Sequence, residues 1–245
     1  MTDTRTKEWL WRGFLVGAAL VLAWLARGAD WGVVWRSAPL LLRGLGNSLL
    51  LTVLSVGIGI AAGTVLAFLR LYAPAGLRHA ATGFIEGVRA IPQLMVIFWV
   101  FYTWPAMTGT SIPGWSAAII ALSMIASAYT AEIVRAGIQS VAVVQWESAH
   151  ASGLTKLQAM RTIVLPQALH TMVPALVSQA IMMFKTTSLV YVVGVIDFFR
   201  AVIIVNNRDF APGALYMTMA IGYFVCCYAL SAIVRRLEPR YVLTD

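Results

Sequence analysis

An all-helical integral membrane bundle, with five core spans and one additional N-terminal helix, is the fold class this sequence predicts. Composition, the length of the apolar runs and the placement of the charges predict it. Hydrophobic residues fill 60% of the 245 positions and charged residues only 11%, with a mean hydropathy of +0.81. Water-soluble domains carry about 25% charged residues, so this chain has too little polar surface to cover a globule in water and belongs in a lipid bilayer. The net charge of +8 would suit nucleic acid if it clustered on one polar face. The basic residues lie instead between the apolar runs, which makes them a topology signal and leaves no nucleic-acid partner.

A helix needs about 20 apolar residues to cross the hydrocarbon core. Four runs reach that length: Leu45 to Leu69, Phe84 to Trp104, Ser116 to Val134 and Leu215 to Val234. A fifth, Met172 to Val195, spans with Lys185 turned toward the protein interior. The segment from Phe14 to Ala26 is shorter and reads as a span with snorkelling arginines, an interfacial helix or a signal peptide. Ala26-Arg27-Gly28-Ala29 is a poor cleavage site, which disfavours the signal peptide. If the segment spans, eleven basic residues lie on the cytoplasmic side against five outside; if it does not, the counts are eight and eight. The positive-inside rule favours six helices with both termini in the cytoplasm. Residues 1–43 are then a cytoplasmic segment, an extra span and an outer linker. Residues 44–238 form the transmembrane domain, with a large polar loop at about 137–170, and 239–245 form a cytoplasmic tail.

Charges inside the bilayer are costly unless paired or facing water. Glu86, Arg89, Glu132 and Lys185 are therefore expected to face the bundle interior, with Glu86 and Arg89 on one helix face at a pairing distance. They either hold the bundle together or line a path for a charged solute. Gly59 and Gly63 fit close packing at a helix or subunit seam, and Gly13 and Gly17 repeat that spacing weakly. Cys226 and Cys227 are adjacent in an apolar run and read as packing residues without metal-ligand spacing.

In the polar loop, Trp146 to Ala151 reads as a short helix broken at Ser152-Gly153-Leu154. Thr155 caps a second helix that Pro166 is expected to end. Gln145-Trp146-Glu147-Ser148-Ala149-His150-Ala151-Ser152-Gly153-Leu154, followed by Ile163-Val164-Leu165-Pro166-Gln167-Ala168, resembles the EAA loop of ABC importer permeases. Ser148 and Ser152 depart from that pattern, where Ala and Leu are usual. Residues 128–140 are similar to the stretch that leads into this loop in the polar amino-acid subfamily. Arg89-Ala90-Ile91-Pro92-Gln93 and Lys185-Thr186-Thr187-Ser188-Leu189 match two further elements of it.

The resemblance implies a bacterial inner-membrane permease whose loop forms a coupling helix docked on a separate ATP-binding subunit. It assigns that role to Glu147, Ala149, Gly153, Leu165 and Pro166. Gly153 permits a left-handed turn, and Glu147 offers a carboxylate to the loop backbone or to a partner's basic group. The implied partners are a pair of ATPase subunits that bind ATP and Mg, a second permease, identical or homologous, and a periplasmic or extracellular solute-binding protein. The chain itself carries no cofactor, no catalytic residue and no metal site; it has no Gly-x-x-x-x-Gly-Lys-Ser/Thr loop for ATP. Residues 187–192 and 197–200 look most like glutamate/aspartate permeases, with glutamine or a basic amino acid as competing cargoes. Arg89, Glu132, Lys185, Ser188 and Arg200 are the substrate-pathway candidates. An ion-coupled secondary transporter would need its own midplane ion site and commonly shows an inverted repeat, and no repeat is evident. A membrane enzyme would need a nucleophile–base pair or metal ligands, and no such motif is found.

Overall fold

A computed structural model describes residues 27–237, with side chains to residue 232, and every element in it is helical. The expected N-terminal span at residues 13–29, with Gly13 and Gly17, and the tail at 239–245 lie almost wholly outside the described residues. A short helix α1 (Trp31–Arg36), capped by Asp30, leads into α2 (Ala38–Tyr72), α3 (Ala75–Ala90), α4 (Gln93–Phe98) and α5 (Trp104–Thr108). There follow α6 (Gly114–Gln139), α7 (Val143–Ala151), α8 (Lys156–Ala159), α9 (Leu165–Thr186), α10 (Phe198–Asp209) and α11 (Pro212–Leu237). Among the described residues four continuous segments are long and apolar enough to cross a membrane: Ala38–Tyr72, Gly114–Gln139, Lys156–Val193 and Pro212–Ala232. The pair Ala75–Ala90 and Gln93–Thr108 makes a fifth if counted as one broken span. The chain is a multi-pass membrane protein.

The expected straight span from Phe84 to Trp104 is a sharp bend of 113°. Ile91 is extended and Pro92 opens the next helix. The proline ring crowds the residue before it out of the helical region and has no N–H to give. Beyond it, residues Trp99–Thr103 form one widened π-helical turn between α4 and α5.

The seam between α2 and α6 organises the bundle. On α2 a stripe of small residues is buried, including Ser48, Thr52, Ser55, Gly59, Gly63 and Ala67. A Cβ on Gly63 would stand 2.6 Å from the carbonyl oxygen of Ser127, and one on Gly59 would overlap Ala126. Both glycines therefore serve a seam within the chain, where backbones touch because no side chain intervenes. Across its most apolar window α6 is 67% buried, against 11% for α11, so α6 is central and α11 is an edge.

At one end of the bundle α10 is fixed to α2. The buried carboxylate of Asp197 accepts from the N–H groups of Phe199 and Arg200, both at 3.0 Å. Ser48 Oγ accepts from Phe198 N, and Asn47 Nδ2 donates to the carbonyl of Ile196 at 2.8 Å. At the other end, the α7–α8 hairpin packs through Trp146 on a core of Ile85, Val134, Ile138, Val164 and Met172.

Candidate functional site

The hairpin is built by two successive caps. Helix α7 stops in a left-handed glycine, Gly153, at φ +77°. Leu154 N bonds the carbonyl of Ala149 at 3.1 Å and Gly153 N that of His150 at 2.9 Å, the bond pair that satisfies the last carbonyls of a helix. Two residues later Thr155 and Gln158 form a capping box that starts α8. The hydroxyl of Ser152, one of the departures noted above, donates to the Ser148 carbonyl at 2.9 Å and so fits the turn.

Of the five residues assigned to coupling, Ala149 is buried beneath the hairpin, while Glu147 and Gly153 are exposed on it. Leu165 and Pro166 lie where the chain leaves the hairpin. Pro166 does not end the helix as expected: the chain runs helically from Lys156 to Val193. A π-helical turn at Met160–Val164 precedes it, widening the backbone just where the ring would otherwise meet the preceding turn. Val143, Val144 and Leu157, which no motif in the sequence marks, are large apolar side chains exposed on the hairpin by 64–69%.

Arg89 and Glu132 come together near the same end, in a cluster that also takes in Glu86, Arg70 and Arg135. Arg70 pairs with Glu86 at 2.9 Å and with Glu132 at 3.1 Å. Arg89 lies 3.8 Å from each of these carboxylates, and its guanidinium sits 5.7 Å from the Tyr129 ring centroid. Arg135 grips Glu132 through Nε at 3.0 Å and through Nη2, and also bonds Gln139. Three guanidiniums thus share two carboxylates, which makes ionised groups tolerable near lipid. The roles of Arg70 and Arg135 were hidden in the sequence, where each reads as a basic residue flanking a span.

Lys185 and Ser188 stand elsewhere, on the wall of a recess of about 340 Å³ completed by Tyr223, Phe224 and Cys227 of α11. Lys185 does not turn into the interior of the chain as expected: no carboxylate of the described residues pairs with it inside the bundle, and it is exposed within an otherwise apolar span, while Ser188 donates to the Lys185 carbonyl at 2.8 Å. Arg200 belongs to neither group: its Nη1 donates to the Tyr191 carbonyl at 2.7 Å, tying α10 to the 3₁₀ turn Thr187–Val193. Among the described residues no group of His, Cys, Asp and Glu could hold a metal ion.

Residues 55–243 match the family described as the binding-protein-dependent transport system inner membrane component. The chain belongs to that family. This binding-protein-dependent permease is 38% identical over 219 residues to the glutamate/aspartate import permease protein GltK of Escherichia coli O157:H7. The alignment covers 86% of the chain and 97% of the relative. The glutamine transport system permease protein GlnP of Escherichia coli K12 is 31% identical over 212 residues, with the same coverage. Among solved structures, the permease resembles a chain of a crystal structure of an amino acid ABC transporter with histidines. The TM-score is 0.82 at 33% identity, covering 86% of this chain and 98% of that one. A binding-protein-dependent permease is a translocation subunit and not an enzyme; ATP hydrolysis belongs to a separate subunit.

Proposed function

We propose that this amino-acid ABC importer permease carries acidic amino acids, glutamate and aspartate, inward. The observation that carries the cargo reading is Lys185, an exposed cation in an apolar span on the wall of a recess large enough for an amino acid. In a low-dielectric wall a fixed ammonium attracts a carboxylate strongly and disfavours a cationic side chain. The similarity to GltK supports the same cargo. The similarity to GlnP favours glutamine as the second reading, since a neutral amino acid also brings an α-carboxylate to Lys185.

In this reading the α7–α8 hairpin seats in a partner ATPase that binds ATP and Mg, with Glu147, Val143, Val144 and Leu157 on the docking side. A second permease, a copy or a homologue, completes the pathway, and a solute-binding protein delivers cargo at the end where α10 lies. The hairpin end faces the cytoplasm, as the basic residues favour. Closure of the ATPase dimer pushes both hairpins and turns the pathway outward, and hydrolysis resets it.

The test is ATP-dependent uptake of labelled glutamate, aspartate, glutamine and arginine into proteoliposomes holding the full importer and its binding protein. Glutamate and aspartate accumulate in the expected result, and Lys185→Met lowers that uptake at least ~tenfold, the cost of leaving one charge-paired group unmatched. Accumulation of glutamine alone, or of arginine, would refute the acidic cargo.

A further inference from the structure

We propose that Glu132 is the hub of an interhelical lock that holds the α3–α4 break against α6 and releases when the hairpin moves. Arg70, Glu86 and Arg89 are then positioning residues for coupling. The inference rests on the reading above that the hairpin is driven by a partner ATPase.

Position supplies the first argument. α6 runs without interruption from Glu132 to Gln139, Arg135 bonds both of those residues, and α7 begins four residues beyond Gln139. A displacement of the hairpin is therefore applied directly to the helical turns that carry Glu132. Glu86 and Arg89 lie in the last turn and a half of α3, immediately before the 113° bend at Ile91-Pro92. The side chains that pair across to α2 and α6 are thus the ones that hold the hinge.

Partner exchange supplies the second. Arg70 and Arg89 each reach two carboxylates, Glu132 on α6 and Glu86 on α3. If α6 withdraws Glu132, both arginines keep Glu86, whose side chain is 53% exposed against 24% for Glu132. The buried Nε of Arg89 has no hydrogen-bond partner among the described residues and supplies a spare donor for a second arrangement. A cluster that can give up one of its pairings and keep the other offers a second arrangement, which is what transmission of a displacement between helices requires. Arg135 differs from the other two arginines: its hydrogen bonds stay within α6.

The experiment uses the full importer in proteoliposomes and measures ATP hydrolysis with cargo-loaded and cargo-free binding protein, together with uptake per ATP. In Glu132→Gln, hydrolysis without cargo is expected to rise and the loaded-to-free ratio to fall roughly fivefold or more, the lower end of ordinary coupling between sites. Arg70→Gln reproduces this, and Arg135→Gln shows a smaller fall. A wild-type ratio in Glu132→Gln overturns the lock. If that variant fails to assemble, the comparison of Arg70→Gln with Arg135→Gln decides: equal ratios overturn the lock, and a lower ratio in Arg70→Gln supports it. A wild-type importer whose hydrolysis ignores the loaded binding protein would overturn the proposed function, and the lock with it.

Discussion

Single residues carry the sharpest structural demands. Gly153 sits at φ +77° with open space around it, so a Cβ meets no neighbour but forces a side-chain-bearing residue into the left-handed region. That costs about 1–2 kcal/mol. Gly153→Ala is expected to leave the thermal transition of the membrane bundle in place and to weaken stimulation of ATP hydrolysis by cargo-loaded binding protein; unchanged stimulation would remove Gly153 from the coupling role. Asp197 behaves differently, because burial raises its carboxyl from the usual 3.8 to about 6, against the helix-cap bonds that lower it. The folded state holds that proton more tightly than the unfolded chain. Its contribution is therefore fully present below pH ~4 and is lost as pH rises through about 6. The interval corresponds to at most about 3 kcal/mol. Asp197→Asn keeps an acceptor for the cap and removes the titration, so the fall in thermal midpoint between pH 5 and 7.5 seen in the parent should flatten in the variant. Of these two residues, Gly153 was legible, because Gly-Leu-Thr between helical patterns announces a stop and a cap. Asp197 was not, since its burial depends on α2 lying over it.

At the scale of elements, proline spoke twice and was read correctly neither time. Arg89-Ala90-Ile91-Pro92 lay inside an apolar run long enough to span, and the run concealed a break that the proline alone required. Pro166 was expected to stop a helix, yet a single widened turn before it lets the backbone continue for 38 residues from Lys156. Such π turns leave no pattern in the residues, because they arise from how the backbone absorbs a missing N–H. The Gly59/Gly63 spacing was legible as a seam, but its partner, the Ala126–Ala131 stretch of α6, emerges only in three dimensions. Gly63→Val is expected to force α2 off α6 and cost about 1–3 kcal/mol, as overpacking does, read as a lowered thermal midpoint in detergent. An unchanged midpoint would mean that the seam yields freely.

For the whole molecule, composition established the solvent, and the apolar runs marked the five core segments of which one proved to be a broken pair, but not their rank. α2 is more apolar than α6 and yet much less buried. Lipid and protein interior are equally dry, so hydropathy cannot tell a central helix from an edge helix. Small residues do: the alanines at 117, 118, 121, 126, 128 and 131 of α6 are all buried. The site was legible in part. The hairpin and its exit were marked by the spacing of Glu147, Gly153 and Pro166, whereas the grouping of Arg70, Glu86, Arg89, Glu132 and Arg135 draws on three helices that the sequence separates by up to 65 positions.

The hairpin's own bonds have a consequence for how the protein is made. Those that close it, from Ala149 to Leu154 and from Thr155 to Gln158, join residues at most five apart. Contacts this local form in microseconds or less and need no distant segment. During synthesis the hairpin can therefore take its shape without waiting for α9 to pack. The α2–α6 seam, by contrast, joins residues far apart in the chain and must wait for two helices to meet in the bilayer, so the hairpin needs only its own segment to reach its shape while the bundle needs nearly the whole chain.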